Sequence, residues 1–465
     1  MGACVVLQAS IAAINDALDP RAFHDRRGVV TETDRMTDEG RHDHVEQVLE
    51  WTTGGHDLDA LDAHALERFL WYELPTKWHV DATSRDEIID DLAAAFTHAG
   101  RDRMAARCTD AQTREVLAAW EEDRGAGFRA FDAAEARSAV SPPDIDPADE
   151  LDGLVWGDIM GIVEATARSR VGAALGAAWE REELTPGTRG WRAAQQRIAR
   201  AALNEPSDGE LEGGTLLDAI LAERVQTWVT RHRSPAATSL FTRVATHLLH
   251  PTEVPTDAET ATAPLAQLLQ ACSEGLGLTA KHYLPPTLVR RIADDHSWSL
   301  AGFPGRGEVD EPLVAELHDM ARRTKLARRT KRTLVLTPTG EGALADVASR
   351  WRSAAESWVD GDDFDAAVGE VALALLLVDG APGRHGVLER QVAALVTELG
   401  WSPGGGAPVD PRDVGWALGV LYRRGAIHGF VAVDKGLDRG LSETGRAAAL
   451  TALRARALAP KRDVH

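Results

Sequence analysis

Residues 326–340 read Leu-Ala-Arg-Arg-Thr-Lys-Arg-Thr-Leu-Val-Leu-Thr-Pro-Thr-Gly. Leu334 and Leu336 fall two apart, the period of a strand. Lys331 and Arg332 stand where a tight turn would join that strand to the one before it. The stretch predicts a basic β-hairpin. Pro338 follows, and Leu344, Val347 and Trp351 then share one helical face, so a helix is expected to close the motif.

Upstream of the hairpin the pattern is helical. Leu265, Leu268, Leu269 and Cys272 line one face of a first helix, which Gly275 and Gly277 are expected to close. Pro285 and Pro286 open a second helix with Leu288, Val289 and Ile292, since proline fits the first helical turn. After a loop carrying Gly302, Gly305 and Gly307, Asp310 is placed to cap a third helix through Pro312, Leu313, Leu317 and Met320. Three helices, a hairpin and a closing helix make the order of a winged helix-turn-helix.

The order recurs downstream. Phe364–Leu377 and Val387–Leu399 read as helices. Asp410 and Pro411 start a third with Val414, Leu418, Leu421 and Tyr422 inward, and Gly425 is expected to stop it. Ala426–Val433 is β-prone, Lys435 and Gly436 suggest a turn, and Leu441-Ser442-Glu443-Thr444-Gly445 leads into the last helix. That segment matches Leu336-Thr337-Pro338-Thr339-Gly340, and Trp298-Ser299 matches Trp401-Ser402, so a divergent internal duplication is expected.

The segment Leu278-Thr279 to Tyr283-Leu284-Pro285-Pro286, with Pro312, the basic hairpin and Leu336–Gly340, resembles a winged-helix-like region of actinobacterial proteins to which no activity is attached. The resemblance is clearest over Leu265–Trp351. The stretch Trp71–Arg107 is similar to a helical region of related proteins, and the Leu-Thr-x-x-Gly wing exit is similar to that of MarR-like and PadR-like regulators. The resemblance implies the fold and leaves the function open.

Proline-rich and acidic stretches at 138–150 (SAVSPPDIDPADE) and 251–264 (PTEVPTDAETATAP) break helical periodicity. They set the expected organisation: a helical N-terminal domain over 1–140, a helical middle domain over 151–250, and winged-helix units over 264–355 and 363–460. In the first part Ile88, Leu92 and Phe96, then Val116, Leu117 and Trp120, carry helical spacing. In the middle part Leu217, Ile220, Leu221, Val225 and Trp228 do the same. The fold class is mainly α.

With 72 acidic and 51 basic residues, the net charge of −21 repels polyanions over most of the surface, so any nucleic-acid contact must be local. Arg322, Arg323, Lys325, Arg328, Arg329, Lys331 and Arg332 are the densest positive charge and the candidate phosphate-binding residues. Glu311, Glu316 and Asp319 on the preceding helix argue against base reading there. In the second unit Arg412, Arg423, Arg424, Lys435 and Arg439 are interleaved with Asp410, Asp413, Asp434 and Asp438.

Other chemistry is weaker. His42, Asp43, His44 and Glu46 carry metal-capable groups, but histidines two apart share a face only in a strand. Asp360, Asp362, Asp363 and Asp365 lack the ligand order of a calcium loop. Trp51, Trp71, Trp78, Trp120, Trp156, Trp179, Trp191 and Trp228 sit among apolar helical positions and read as packing. No phosphate-loop, dinucleotide, nucleophile-elbow or zinc-protease motif occurs. Cys4, Cys108 and Cys272 are isolated, which fits a reducing cytoplasm, and Met1–Leu18 reads as an amphipathic helix, neither membrane-spanning nor acylated through Gly2 and Cys4. The expectation is a non-enzymatic, cofactor-free regulator that meets duplex DNA through the first wing. Its alternatives are a scaffold that packs against a protein partner or itself, and an enzyme without a recognisable motif.

Overall fold

Aspartate begins helix after helix, and this use of carboxylates accounts for part of the acidic excess. A computed structural model describes residues 38–461 apart from 56, 146–152, 208–213, 232–233, 299–306, 381–385, 405 and 434–438. The expected Met1–Leu18 helix with Gly2 and Cys4, the loop residues Ser299, Gly302 and Gly305, and the turn at Lys435 and Gly436 lie outside the described residues. The described chain is mainly helical with a few short antiparallel strands. It forms two compact units, Met1–Ile220 with Lys461–His465, and Leu221–Pro460.

In the first unit, α1 spans Asp38–Thr53 and α2 Ala63–Arg68. A single π-helical turn, Phe69–Glu73, then leads into α3, Leu74–Lys77. There follow α4 (Ala82–His98), α5 (Asp102–Thr109), α6 (Ala111–Glu122), α7 (Arg124–Arg137), α8 (Ile162–Glu180) and α9 (Trp191–Leu203). Asp62, Asp81, Asp110 and Asp123 each accept a backbone N–H at the start of α2, α4, α6 and α7, satisfying donors that the first helical turn leaves open. Phe69, Leu70, Trp71, Leu92 and Phe96 are fully buried.

One ionic clamp crosses this core. Glu67 meets Arg107 Nε at 3.1 Å and accepts the Ser138 hydroxyl at 2.5 Å. The Arg107 guanidinium lies 5.6 Å from the Trp71 ring and 5.5 Å from Trp179, a cation–π arrangement that partly replaces lost hydration. Burial pushes the Glu67 carboxyl up to about 7 against the pull of Arg107 and Ser138.

The division between the units falls within α10, Leu216–Thr230. The second unit continues with α11 (Pro235–Ala245), α12 (Ala258–Ala261), α13 (Ala263–Cys272), β1 (Leu276–Gly277), α14 (Pro286–Asp295) and α15 (Pro312–Arg323). The hairpin β2 (Ala327–Thr330) and β3 (Thr333–Leu336) comes next, then α16 (Pro338–Ala345) and α17 (Val347–Glu356). Strand β3 lies between β1 and β2, both antiparallel, with Leu276 opposite Leu334 and Arg328 opposite Val335. The chain ends with α18 (Phe364–Val378), α19 (Val387–Glu398), α20 (Pro411–Ile427), the pair β4 (Val431–Val433) and β5 (Arg439–Leu441), and α21 (Glu443–Leu458). One continuous core runs through the unit from Val225 to Ala457, with Phe241, Trp351, Trp358 and Phe430 among its largest buried side chains.

The two halves of this unit repeat a local geometry as well as an element order. The Thr337 hydroxyl caps α16 by accepting Gly340 N at 3.0 Å and donates to the Lys325 carbonyl at 2.5 Å. The Ser442 hydroxyl caps α21 by accepting Gly445 N at 2.9 Å and donates to the Gly429 carbonyl at 2.8 Å. Thr337 N bonds Leu326 O at 3.1 Å, and Ser442 N bonds Phe430 O at 3.0 Å. The second helices end alike too: Trp298 N bonds Ala293 O behind Ser297 (φ 55), and Trp401 N bonds Val396 O behind Gly400 (φ 95).

Several details differ from the reading of the sequence. Gly277 lies in β1, so only Gly275, at φ 88, turns the chain after α13. Glu311 stands at the cap of α15, because Asp310 belongs to a short 3-10 turn with Glu308. Asp346 splits the closing helix by capping α17 through Ser349 N at 2.7 Å. Gly425 does not stop α20, which runs on to Ile427. A side chain at 425 would meet Trp358 and Val431 at 2.7 Å, so the glycine serves close packing, and Gly429 at φ 65 makes the turn. Hence β4 begins at Val431, not at Ala426.

Lys325, at φ 58, occupies the place that Gly429 takes in the second half. A left-handed conformation strains any residue with a Cβ. Lys325→Gly is expected to raise the unfolding free energy by about 1 kcal/mol, read as a higher urea midpoint with an unchanged slope.

Candidate nucleic-acid interface

The hairpin is anchored at its root and charged toward its tip. Ala327 and Leu334 are buried, while Arg328, Arg329, Lys331 and Arg332 are exposed. The two-residue turn Lys331-Arg332 joins strands paired through Thr330 and Thr333, with Lys331 at φ 56. Arg322 and Lys325, at the end of α15 and just beyond it, are exposed as well. Among the described residues, none of these six side chains takes part in an ion pair.

Arg323 differs from its neighbours. It meets Asp319 at 3.3 Å, Asp360 at 3.2 Å and Glu316 at 3.8 Å, and is largely covered. Internal carboxylates already satisfy its charge. Sequence reading missed Lys281. The bond from Leu278 N to Arg332 O at 2.7 Å seats the loop that carries this exposed lysine beside the turn.

The helix before the hairpin is closed off. α15 packs on α20, and Glu316 pairs with Arg424 at 3.0 Å. Glu311 is buried, and Asp319 is engaged by Arg323. A cavity of about 10 Å³, room for one water, lies in this seam between Glu316, Arg323, Arg424 and His428. His428 donates through Nδ1 to the Ala261 carbonyl at 3.0 Å, and burial lowers its pKa to about 4.

That histidine gives the second unit a pH dependence of known sign. Between about 4 and 6.5 the unfolded chain binds the proton that folded His428 refuses, so stability falls as pH drops through that window. Lowering the pH from 7 to 5 is expected to cost roughly 2 kcal/mol from this group. Urea titrations at both values should show the loss, and His428→Gln should remove this share of it.

Other sequence candidates are absorbed locally. His44 bonds Asp91 at 3.1 Å. In the acidic run, Asp360 meets Arg323, Asp362 meets Arg456 at 3.1 Å, and Asp363 caps α18. Among the described residues no group of three or more His, Cys, Asp or Glu side chains is placed to hold a metal. No described helix is long and apolar enough to cross a membrane. Of the tryptophans read as packing, Trp71, Trp156, Trp179 and Trp228 are buried, whereas Trp51 is 47% exposed.

Comparison of the chain with family models, with curated proteins and with solved structures gives no match.

Proposed function

We propose that the second unit contains two tandem winged helix-turn-helix folds, over 264–355 and 363–460, and that the first holds duplex DNA through its basic wing in a non-enzymatic regulatory role. The order α13, β1, α14, α15, β2, β3, with β3 central in its sheet, supports the fold. The carrying observation for function is that Arg328, Arg329, Lys331 and Arg332 stand exposed on a hairpin, without internal carboxylate partners, in a chain of net charge −21. Cations so placed neutralise phosphates and release counterions. The buried free thiols of Cys108 and Cys272 suit a reducing cytoplasm.

Because α20 covers α15, the contact is with the phosphate backbone and carries little sequence preference. The test is a titration of labelled duplex DNA at low and moderate salt. Binding that weakens steeply with salt supports the reading, and no binding at low salt overturns it.

The same packing of α15 on α20 favours a second reading, in which the winged helices are packing modules of a scaffold. A stable partner or self-association in a pull-down, together with no affinity for DNA, would favour that one.

A further inference from the structure

The exposed face of α20 carries a feature that the wing does not explain. Arg412, Trp416, Gly419, Val420 and Arg423 recur at helical spacing on the side away from the buried Val414, Ala417, Leu418 and Leu421. Trp416 is 81% exposed. The ring packs on almost nothing in the fold, and aromatic side chains are among the residues enriched at contact surfaces.

The surroundings of the ring sharpen this. A Cβ on Gly415 would meet nothing within 4 Å, and one on Gly419 would meet only the Arg423 guanidinium at 3.6 Å. Neither glycine is demanded by packing, yet each weakens a helix interior by roughly 0.5–1 kcal/mol relative to alanine. Together they leave a flat shelf beside the indole. Arg412 and Arg423 lie about 6 Å and 10 Å along the axis from Trp416 at the usual rise per residue. Among the described residues neither makes an ion pair, whereas the adjacent Arg424 is held by Glu316. Asp413, in the first turn, complements the helix dipole.

We propose that this face binds single-stranded nucleic acid, with an unpaired base stacked on Trp416 and the flanking phosphates held by Arg412 and Arg423. An aromatic plane between free guanidinium groups is the chemistry that single strands require. A duplex keeps its bases stacked on each other and does not supply the partner. A second copy of the chain fits less well, because antiparallel pairing over Trp416 and Gly419 would set Arg412 against Arg423. Trp416, Arg412 and Arg423 lie on a different element from the basic wing.

The test uses the intact chain and a fluorescent oligothymidylate of about 12 nucleotides. Trp416→Ala is expected to weaken binding at least tenfold, Trp416→Phe to retain most of it, and Arg412→Ala or Arg423→Ala each to flatten the salt dependence. The thermal melt of Trp416→Ala should match that of the parent, since the ring is in water. In a background with Arg328, Arg329, Lys331 and Arg332 replaced by alanine, the loss caused by Trp416→Ala should persist, so failure here and failure of the wing are distinguishable. Equal affinity in Trp416→Ala and the parent, no binding at low salt, or a dimer in sedimentation that Trp416→Ala abolishes would each overturn the proposal.

Discussion

Gly445→Ala is expected to destabilise the second unit by roughly 3 kcal/mol or more, at the upper end of what overpacking causes. A Cβ at 445 would stand 1.8 Å from the Phe430 carbonyl oxygen and 2.6 Å from its carbon. Both are backbone atoms, and no rotamer change relieves them. The helix start must move away, which breaks the Ser442 hydroxyl bond to Gly429 O and the Ser442 amide bond to Phe430 O. Alanine's better helix propensity, worth about 0.5–1 kcal/mol, is too small to offset this. Gly340→Ala should behave the same way, because its Cβ would stand 1.9 Å from Leu326 O. The control is Gly342→Ala in α16, where nothing lies within 4 Å and a gain of about 0.5–1 kcal/mol is expected. Urea midpoints followed by circular dichroism separate the three. A neutral Gly445→Ala would show that the two helix starts are not built as described.

Replacing Arg328, Arg329, Lys331 and Arg332 together by alanine is expected to weaken duplex binding roughly a hundredfold at about 0.1 M salt. The salt slope should fall by about 3.6, or about 0.9 for each phosphate that is no longer neutralised. Their side chains are exposed, so the melting temperature should hardly move. Arg323→Ala is the informative contrast. Its guanidinium is spent on Asp319, Asp360 and Glu316, so the variant should lose stability while keeping the salt slope. Measuring Kd over a salt series for the three proteins distinguishes a specific wing interaction from a general change in net charge. A quadruple variant that binds as tightly as the parent would remove the hairpin from the interface.

Much of the second unit was legible because its signals are local. The alternation around Leu334 and Leu336, the turn at Lys331 and Arg332, and the prolines at 286 and 411 each act within a few residues. What escaped depends on distant partners. β1 is two residues long and exists because Leu276 and Gly277 reach Leu334 and Thr333, and no periodicity marks so short a strand. Gly425 looked like a helix stop, but Trp358, far earlier in the chain, makes it a packing residue. The pairing of Arg323 with Asp360 and of Glu316 with Arg424 is likewise tertiary, so local charge counting placed Arg323 with the free cations. Trp416 did carry a readable signal: it falls two residues from both Val414 and Leu418, off the apolar stripe that those residues define.

A charged hairpin that meets a polyanion is tested most directly by the logarithmic salt dependence of duplex affinity for the intact chain. Neutralising about four to six phosphates predicts a straight line with a slope between about −3.6 and −5.4 from about 50 to 200 mM salt. A flat line, or no measurable binding at the low-salt end, would contradict it.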